Sequence, residues 1–564
     1  MDATDHGRPA KERSMKIAIQ FNGQTVEARP GTTILKLLET YPHPGKSAPL
    51  GAIVNNRLMG LYRVLRSDCT VQTIDYRSKE GANIYRRSLT MILCAAFSDL
   101  FPEVRLEIGQ SLANGYYYHV THGPALTETM LAAVEARMRE IIAANRPLRP
   151  VLVTTEEAEE YFAKIGSEAK AMLLHQRRQP EVPWVVIGEF RDLVHGPLAP
   201  STGVCQTFAI LPKLPGFVLT FPDRIGRVLV ALPSQPKLYA AYRDTRMWNE
   251  QLGIWSVGHL NRACIDGTIS EIVKVSEGLQ EKKIVAIADR IKAAGGEIRV
   301  VLVAGPSSSG KTTTTKRLAV QLMVNGIRPV ALSMDNYYID RADTPRNPDG
   351  SYNFESLEAL DLDLFNSHLH DILEGKLVQM PMYDFVSGAR RKDKTIPIQL
   401  QRDQVLIVEG IHGINPRLTE AAPAKAKFKL YVSALTQLCL DEHNRIFTSD
   451  ARLLRRIVRD RLYRGYSAAQ TIHQWPHVRA GENKHIFPYQ EEADVLFDTS
   501  LVYEQAVLKP YLQRFLLEVD QRDPAYIEAY RLFNFLSWFI PIFSHEVPHT
   551  SILREFIGGS TFNY

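Results

Sequence analysis

The sequence predicts a multidomain protein of mixed α/β and α+β class, and three observations carry that expectation. At 564 residues the chain is longer than one domain commonly runs. An apolar run, Val300 to Ala304, leads into a loop bounded by Gly305 and Gly310, and helical apolar spacing follows from Thr313 to Val324; this is the strand–loop–helix order of a parallel sheet. Near the start, Ile17, Ile19 and Phe21 alternate with polar residues, Asn22-Gly23 signals a tight turn, and Val26 and Ala28 resume the alternation of a hairpin.

Composition sets the outer bounds. With 45% apolar and 23% charged residues, the chain has ample material for cores, and a net charge of +5 neither requires nor excludes a nucleic-acid partner. Cys69, Cys94, Cys205, Cys264 and Cys439 show no paired spacing, so no disulfide framework or zinc knuckle is expected. Residues 1–14 are polar and lack the apolar core of a signal peptide; they read as a flexible N-terminus. The most apolar stretch, Leu532 to Phe543, is too short for a membrane span and is broken by Asn534, Ser537 and Pro541. A cytoplasmic protein without membrane contact follows from these features.

Residues 15–77 read as a small β-grasp unit: the hairpin, then a helix carrying Ile34, Leu37 and Leu38 that Thr32 or Thr33 can cap, then apolar runs around Val54 and Val71. This pattern resembles a TGS domain, the ubiquitin-like module at the start of threonyl-tRNA synthetases. In residues 78–262, Asn114-Gly115-Tyr116-Tyr117-Tyr118, Asp192-Leu193, Gly196-Pro197 and Pro200-Ser201-Thr202-Gly203 resemble phrases of the threonyl-tRNA synthetase editing domain. That resemblance implies a pocket lined by an HxxxH helix and a Cys/His pair. Here the four positions hold Arg87, Met91, Val194 and Leu198, which offer neither imidazole nor thiolate, so a retained scaffold without zinc or proton-transfer chemistry is expected. His195 beside them reads as a structural histidine. Residues 263–298 follow helical spacing up to Gly295-Gly296 and read as a helical connector.

The loop Gly305-Pro306-Ser307-Ser308-Ser309-Gly310-Lys311-Thr312 and the next residue, Thr313, form a phosphate-binding loop by pattern and context. Its glycines let successive N–H groups turn toward an anion, and the helix N-terminus adds partial positive charge. Lys311 can reach the β- and γ-phosphates of ATP, and the Thr312 hydroxyl can ligate Mg²⁺. An ordinary Gly/Ser turn would not need the Lys-Thr pair at that spacing. Asp335 follows the strand Pro329 to Leu332, where an α/β sheet opens its ligand crevice, and a carboxylate there can take the proton of an attacking hydroxyl.

Further motifs then follow in order: Ser333 to Tyr338, Asn353-Phe354-Glu355, Pro381 to Ser387 with Tyr383 inside it, and Glu409-Gly410 after the strand Val405 to Val408. Arg455, Arg456, Arg459 and Arg464-Gly465 come last. Residues 299–500 thereby resemble the uridine kinase and phosphoribulokinase family of P-loop kinases. The resemblance implies Asp335 as base, with Lys311, Arg456, Arg459 and Arg464 stabilising the transferred phosphoryl. It also implies Glu409 beside Thr312 at the metal, and Asp335, Tyr338, Glu355, Tyr383 and Arg456 facing the acceptor. Independently of the family, Arg452, Arg455, Arg456 and Arg459 share one helical face, as a clamp on spread phosphoryl charge requires.

Three departures bear on the acceptor. The family's loop carries a pyrimidine-holding His where this chain has Gly388; its Arg-Gly-Arg reads Arg464-Gly465-Tyr466; and Glu355 stands for its Asp. The expected activity is ATP- and Mg²⁺-dependent phosphorylation of a small-molecule hydroxyl, a nucleoside before others but not uridine. A phosphoribulokinase-like action on a sugar phosphate stays open, as does an ATP-switched RNA- or ribosome-binding regulator that would contact RNA through the N-terminal modules. The 501–564 tail is helical and aromatic-rich, with packing or homo-oligomer formation as its expected purpose.

Overall fold

The computed structural model describes residues 16–384, 387–436 and 438–564. The expected flexible stretch 1–14, and Phe385 and Val386 of the acceptor loop, lie outside the described residues. The architecture has the mixed α/β and α+β class that the sequence predicts.

At the start, Ile17–Phe21 pairs antiparallel with Gln24–Ala28 across the Asn22-Gly23 turn and parallel with Cys69–Ile74. Gly51–Val54 and Arg57–Met59 complete a five-stranded sheet. Of the two candidate caps, Thr33 acts: its hydroxyl accepts the Lys36 N–H at 3.2 Å, opening the helix Ile34–Thr40. Thr32 instead donates to the Arg29 carbonyl.

The next block is organised on the helix Lys79–Leu100, capped by Ser78, whose residues Ile84, Leu89, Met91 and Ile92 are all fully buried. A four-stranded and a three-stranded sheet accompany it. The four positions that differ from the synthetase pocket lie within this packing. The Arg87 guanidinium donates to the Pro197 carbonyl at 2.7 Å, and Met91, Val194 and Leu198 share one apolar cluster.

The C-terminal unit is a five-stranded parallel sheet in the order Arg328–Ser333, Gln404–Glu409, Val300–Ala304, Lys427–Ser433, Val495–Asp498. Every residue of the central strand Val300–Ala304 is buried, as expected of a parallel strand covered on both faces. Register aligns Ser333 and Val303 with Glu409, so three strand ends open at one crevice. The helix Ile269–Ala293 is no free-standing link. Its Ile284, Ile287, Ala288 and Ile291 share a core with Val301 and Val303, so it forms a layer of this sheet.

A short excursion after the strand Lys427–Ser433 joins the two halves. Cys439 and Phe447 pack in the apolar cluster of the N-terminal block, and the Ile108 N–H donates to the Glu442 carbonyl at 2.8 Å. Beneath them Lys170 is buried at 3.3 Å from Asp192, 3.8 Å from Asp441 and 3.4 Å from Glu442. His443 Nδ1 lies 2.5 Å from Asp192, and His195 Nε2 lies 2.9 Å from Asp441, so His195 has a structural partner. Among the described residues no helix is long and apolar enough to cross a membrane.

This joint generates a prediction. Lys170→Met leaves buried carboxylates without their central cation and should lower stability by about 3–5 kcal/mol in urea unfolding. In the native protein, burial opposes the charge of His443, but Cys94 and Asp192 raise its pKa to about 10. A raised folded value means that its contribution is complete below about pH 6.5, the unfolded value, and fades as pH rises through the folded one. The Lys170→Met deficit and a loss of stability on the alkaline side should both be seen; a change under about 1 kcal/mol would place the joint among surface-like ion pairs.

Candidate active site

The phosphate loop is held from several sides. Gly305 faces the neighbouring strand so closely that a Cβ there would lie 1.9 Å from the Val432 carbonyl oxygen. The Lys311 ammonium folds back onto the Pro306 carbonyl at 3.1 Å. Ser307 donates its N–H to Glu482 Oε1 at 3.1 Å, while its hydroxyl accepts from Arg456 at 2.9 Å. Ser308 and Ser309 are buried, and Thr499 donates to the Ser309 carbonyl at 2.5 Å. Gly310 opens the helix Lys311–Val324, whose first turn contains Thr312 and Thr313. Free N–H groups of such a turn, with the helix dipole behind them, suit an anion.

Carboxylates gather opposite. The Thr312 hydroxyl donates to Glu409 Oε1 at 2.7 Å. Burial pushes the Glu409 carboxyl up to about 7, although Lys311 pulls it down. Asp335 reaches solvent on one side; the protein around it still raises its pKa, against the pull of Lys311, Arg464 and Arg459. Burial in turn lowers the Lys311 pKa, opposed by Glu409, Asp335 and Glu555. Three sequence-predicted groups, Lys311, Asp335 and Glu409, therefore sit within electrostatic reach of one another. A hydroxyl and a carboxylate at one point form an all-oxygen donor set, which fits a hard cation such as Mg²⁺.

The arginine face of the helix Thr448–Tyr463 divides. Arg452 forks onto Glu482, and Arg455 pairs with Glu504 at 2.5 Å; all four groups are buried. Those two arginines are structural, against the expectation that the whole face serves as a clamp. Arg456 and Arg459, each half-buried, and the more exposed Arg464 point instead toward Asp460 and the loop. Burial, with Arg464 next to it, lowers the Arg459 pKa to about 10. A charge that is incompletely compensated in this way is suited to an anionic ligand.

Among the residues expected from the sequence to face the acceptor, the Tyr338 ring lies 5.7 Å from that of Tyr383, and the Tyr338 hydroxyl donates to the Phe354 carbonyl at 3.0 Å. Glu355 is carried in by the same turn. Burial, with Glu482 nearby, raises its carboxyl to about 7. Arg390 is spent on structure, binding the Tyr337 and Tyr338 carbonyls and Asp361. Sequence reasoning missed Glu482 and Arg341, which no local pattern marks. It also missed Glu555 and Tyr564, which the 501–564 segment brings to Thr313.

Residues 300–504 match the Phosphoribulokinase / Uridine kinase family. The chain carries a kinase domain of that family. The N-terminal region is similar to threonine–tRNA ligases: it is 35% identical over 191 residues to the one from Symbiobacterium thermophilum, covering 34% of this chain and 29% of the relative. With threonine–tRNA ligase 1 of Bacillus subtilis it shares 32% identity over 191 residues, covering 34% and 30%. The chain thus spans less than a third of the length of these curated relatives. Among solved structures, one described as a possible uridine kinase from Bacillus stearothermophilus aligns at 18% identity with a TM-score of 0.25, covering 36% of this chain and 89% of that one.

The kinase domain's loop depends on close backbone contact at its first glycine. Gly305→Ala should lower the thermal midpoint and abolish nucleotide binding together, because the methyl group meets a strand carbonyl that cannot withdraw. Retention of both would mean that the loop has room to shift.

Proposed function

We propose that this protein is an ATP- and Mg²⁺-dependent phosphotransferase that moves the γ-phosphoryl group to a hydroxyl of a small molecule, and that the acceptor is a nucleoside other than uridine. The observation that carries the reading is the meeting of Lys311, Asp335 and Glu409 at the carboxyl ends of parallel strands, inside the domain matched to the kinase family. Lys311 and the N–H groups at the start of the helix Lys311–Val324 hold the phosphates. Thr312 and Glu409 would hold Mg²⁺, which neutralises phosphate charge when bound. Asp335, with its proton affinity raised by its surroundings, accepts the acceptor's hydroxyl proton. Arg456, Arg459 and Arg464 face the phosphoryl oxygens, whose charge is spread in the transition state.

Tyr383 and Tyr338 offer ring faces to a base, and Glu355 offers its carboxyl to ribose hydroxyls. What supports a departure from uridine is the ground around Gly388. A Cβ at that position would lie 2.5 Å from Arg341 Nε and 2.6 Å from Cζ, so the guanidinium already occupies the space into which a residue-388 side chain would extend.

Lys311→Ala should lose ATP affinity and turnover together. Asp335→Asn should bind ATP normally yet lose roughly 10²–10⁴-fold in rate, since an amide cannot take the proton. Normal turnover by Asp335→Asn on its best acceptor would refute the assignment of the base. Specificity constants for uridine, cytidine, purine nucleosides and pentose phosphates, read as ADP release, should rank uridine and cytidine below another acceptor; either pyrimidine emerging first would overturn the acceptor reading.

A further inference from the structure

The phosphate loop already has an anion on it, and the anion belongs to the chain itself. Glu555 Oε2 accepts from the Thr313 N–H at 3.2 Å and from the Thr313 hydroxyl at 2.8 Å. Thr313 is the third residue of the helix Lys311–Val324, so its N–H is one of the four that have no partner within the helix. A carboxylate taking an N–H at the positive end of a helix makes the same kind of bond that a phosphate oxygen would make. Both cannot hold that donor at once.

The contact is built by the segment that delivers it. Ile552, Leu553, Phe556 and Ile557 are buried in the core of the kinase domain, which fixes the short turn Arg554–Ile557 on which Glu555 stands. The Arg554 guanidinium clasps the carbonyls of Ser544 and Gly558 at 2.9 and 3.2 Å, closing this stretch on itself. Ile552 sits over the loop: a Cβ at Gly310 would lie 2.7 Å from its Cγ2. At the far end of the segment the Tyr564 hydroxyl lies 2.9 Å from Thr313 Oγ1, and the Lys316 ammonium lies 5.9 Å from the Tyr564 ring centre. A Cβ at Gly558 would lie 2.3 Å from the Tyr463 hydroxyl, so the segment also touches the last turn of the arginine-bearing helix.

Anchoring is uneven along this path. The side chains of 552, 553, 556 and 557 are sealed in the core, whereas Gly559, Thr561, Asn563 and Tyr564 are exposed. The inner half is a fixed base, and the outer half, together with the Glu555 side chain, has water to move into. A phosphate arriving at Thr313 would lie against the Glu555 carboxylate, and two anions sharing one donor in a partly enclosed site repel strongly.

We propose that Glu555 is an intramolecular competitor of the nucleotide phosphate, and that ATP binds only as Glu555 and the outer residues 558–564 swing away from Thr313. The inference rests on the nucleotide-binding reading given above. It makes the 549–564 segment a strap over the phosphate loop, coupled through Tyr463 to the helix that carries Arg456 and Arg459. Access to the site is then set by the chain's own carboxylate as well as by the loop.

The test measures ATP affinity by calorimetry for the full chain and for Glu555→Gln, Glu555→Ala, Glu546→Gln and Lys311→Ala, with amide hydrogen exchange of the native chain with and without ATP. Removing the charge at 555 should tighten ATP binding about tenfold, the scale set by one hydrogen bond to a charged group together with like-charge repulsion. Glu546→Gln, just before the strap and away from the loop, should leave affinity unchanged. In the native chain, ATP should speed exchange in residues 558–564. If the native chain binds ATP while Glu555→Gln and Glu555→Ala bind it equally or more weakly and exchange does not rise, the competition is refuted and the nucleotide site stands. If no chain binds ATP, both readings fall.

Discussion

The candidate site depends on one buried carboxylate. Glu482 lies fully enclosed in the helix Ala468–His485, and Arg452 and Arg479 hold its pKa low despite that burial. A buried charge is tolerable only with partners that use all of its lone pairs, and Glu482 has them: the Arg452 fork, Arg479 at 2.7 Å, and the Ser307 N–H of the phosphate loop. Three pieces of chain, the loop and two successive helices, are thereby tied to one point. The same negative charge helps raise the carboxyl of Glu355, so the ion pair that positions the loop also acts on Glu355.

The N-terminal half presents the complementary case, in which a scaffold is filled rather than tuned. Met91, Val194 and Leu198 are buried together, and the Arg87 guanidinium is turned onto a backbone carbonyl. Against this filled block the kinase domain lays Cys439, Asp441, Glu442 and His443, so the buried polar groups of the N-terminal block, Lys170 and Asp192, find their partners in the other half of the chain. A cluster of this kind favours one docking arrangement over others, because any displacement leaves charges buried without partners.

How much was legible beforehand divides by the range of the interaction. The hairpin at 17–28, the loop at 305–312, Asp335 after its strand and Glu409 at the end of another follow from local spacing, because each depends on residues within one or two turns of itself. Arg452, Arg455, Arg456 and Arg459 show the limit. Their spacing places them on one face, yet helical spacing cannot say whether that face turns to solvent, loop or core, and here Arg452 and Arg455 turn to the core while Arg456 turns to the loop. The helix Ile269–Ala293 is similar: its periodicity predicts a helix, and only the sheet it packs on makes it a layer of the kinase domain.

By itself, then, the sequence determined the class of the fold, the order of its units and the chemical groups of the phosphate loop, since these rest on periodicity, turn chemistry and short-range spacing. Tertiary structure decided which charges meet. The Ser307–Glu482 contact joins residues 175 apart and the Thr313–Glu555 contact residues 242 apart, and no pattern within either segment announces its partner. The physical reason is that a carboxylate is equally at home in water until burial removes it, so an isolated Glu on a helix reads as surface. Its pairing is set by which elements the core brings together.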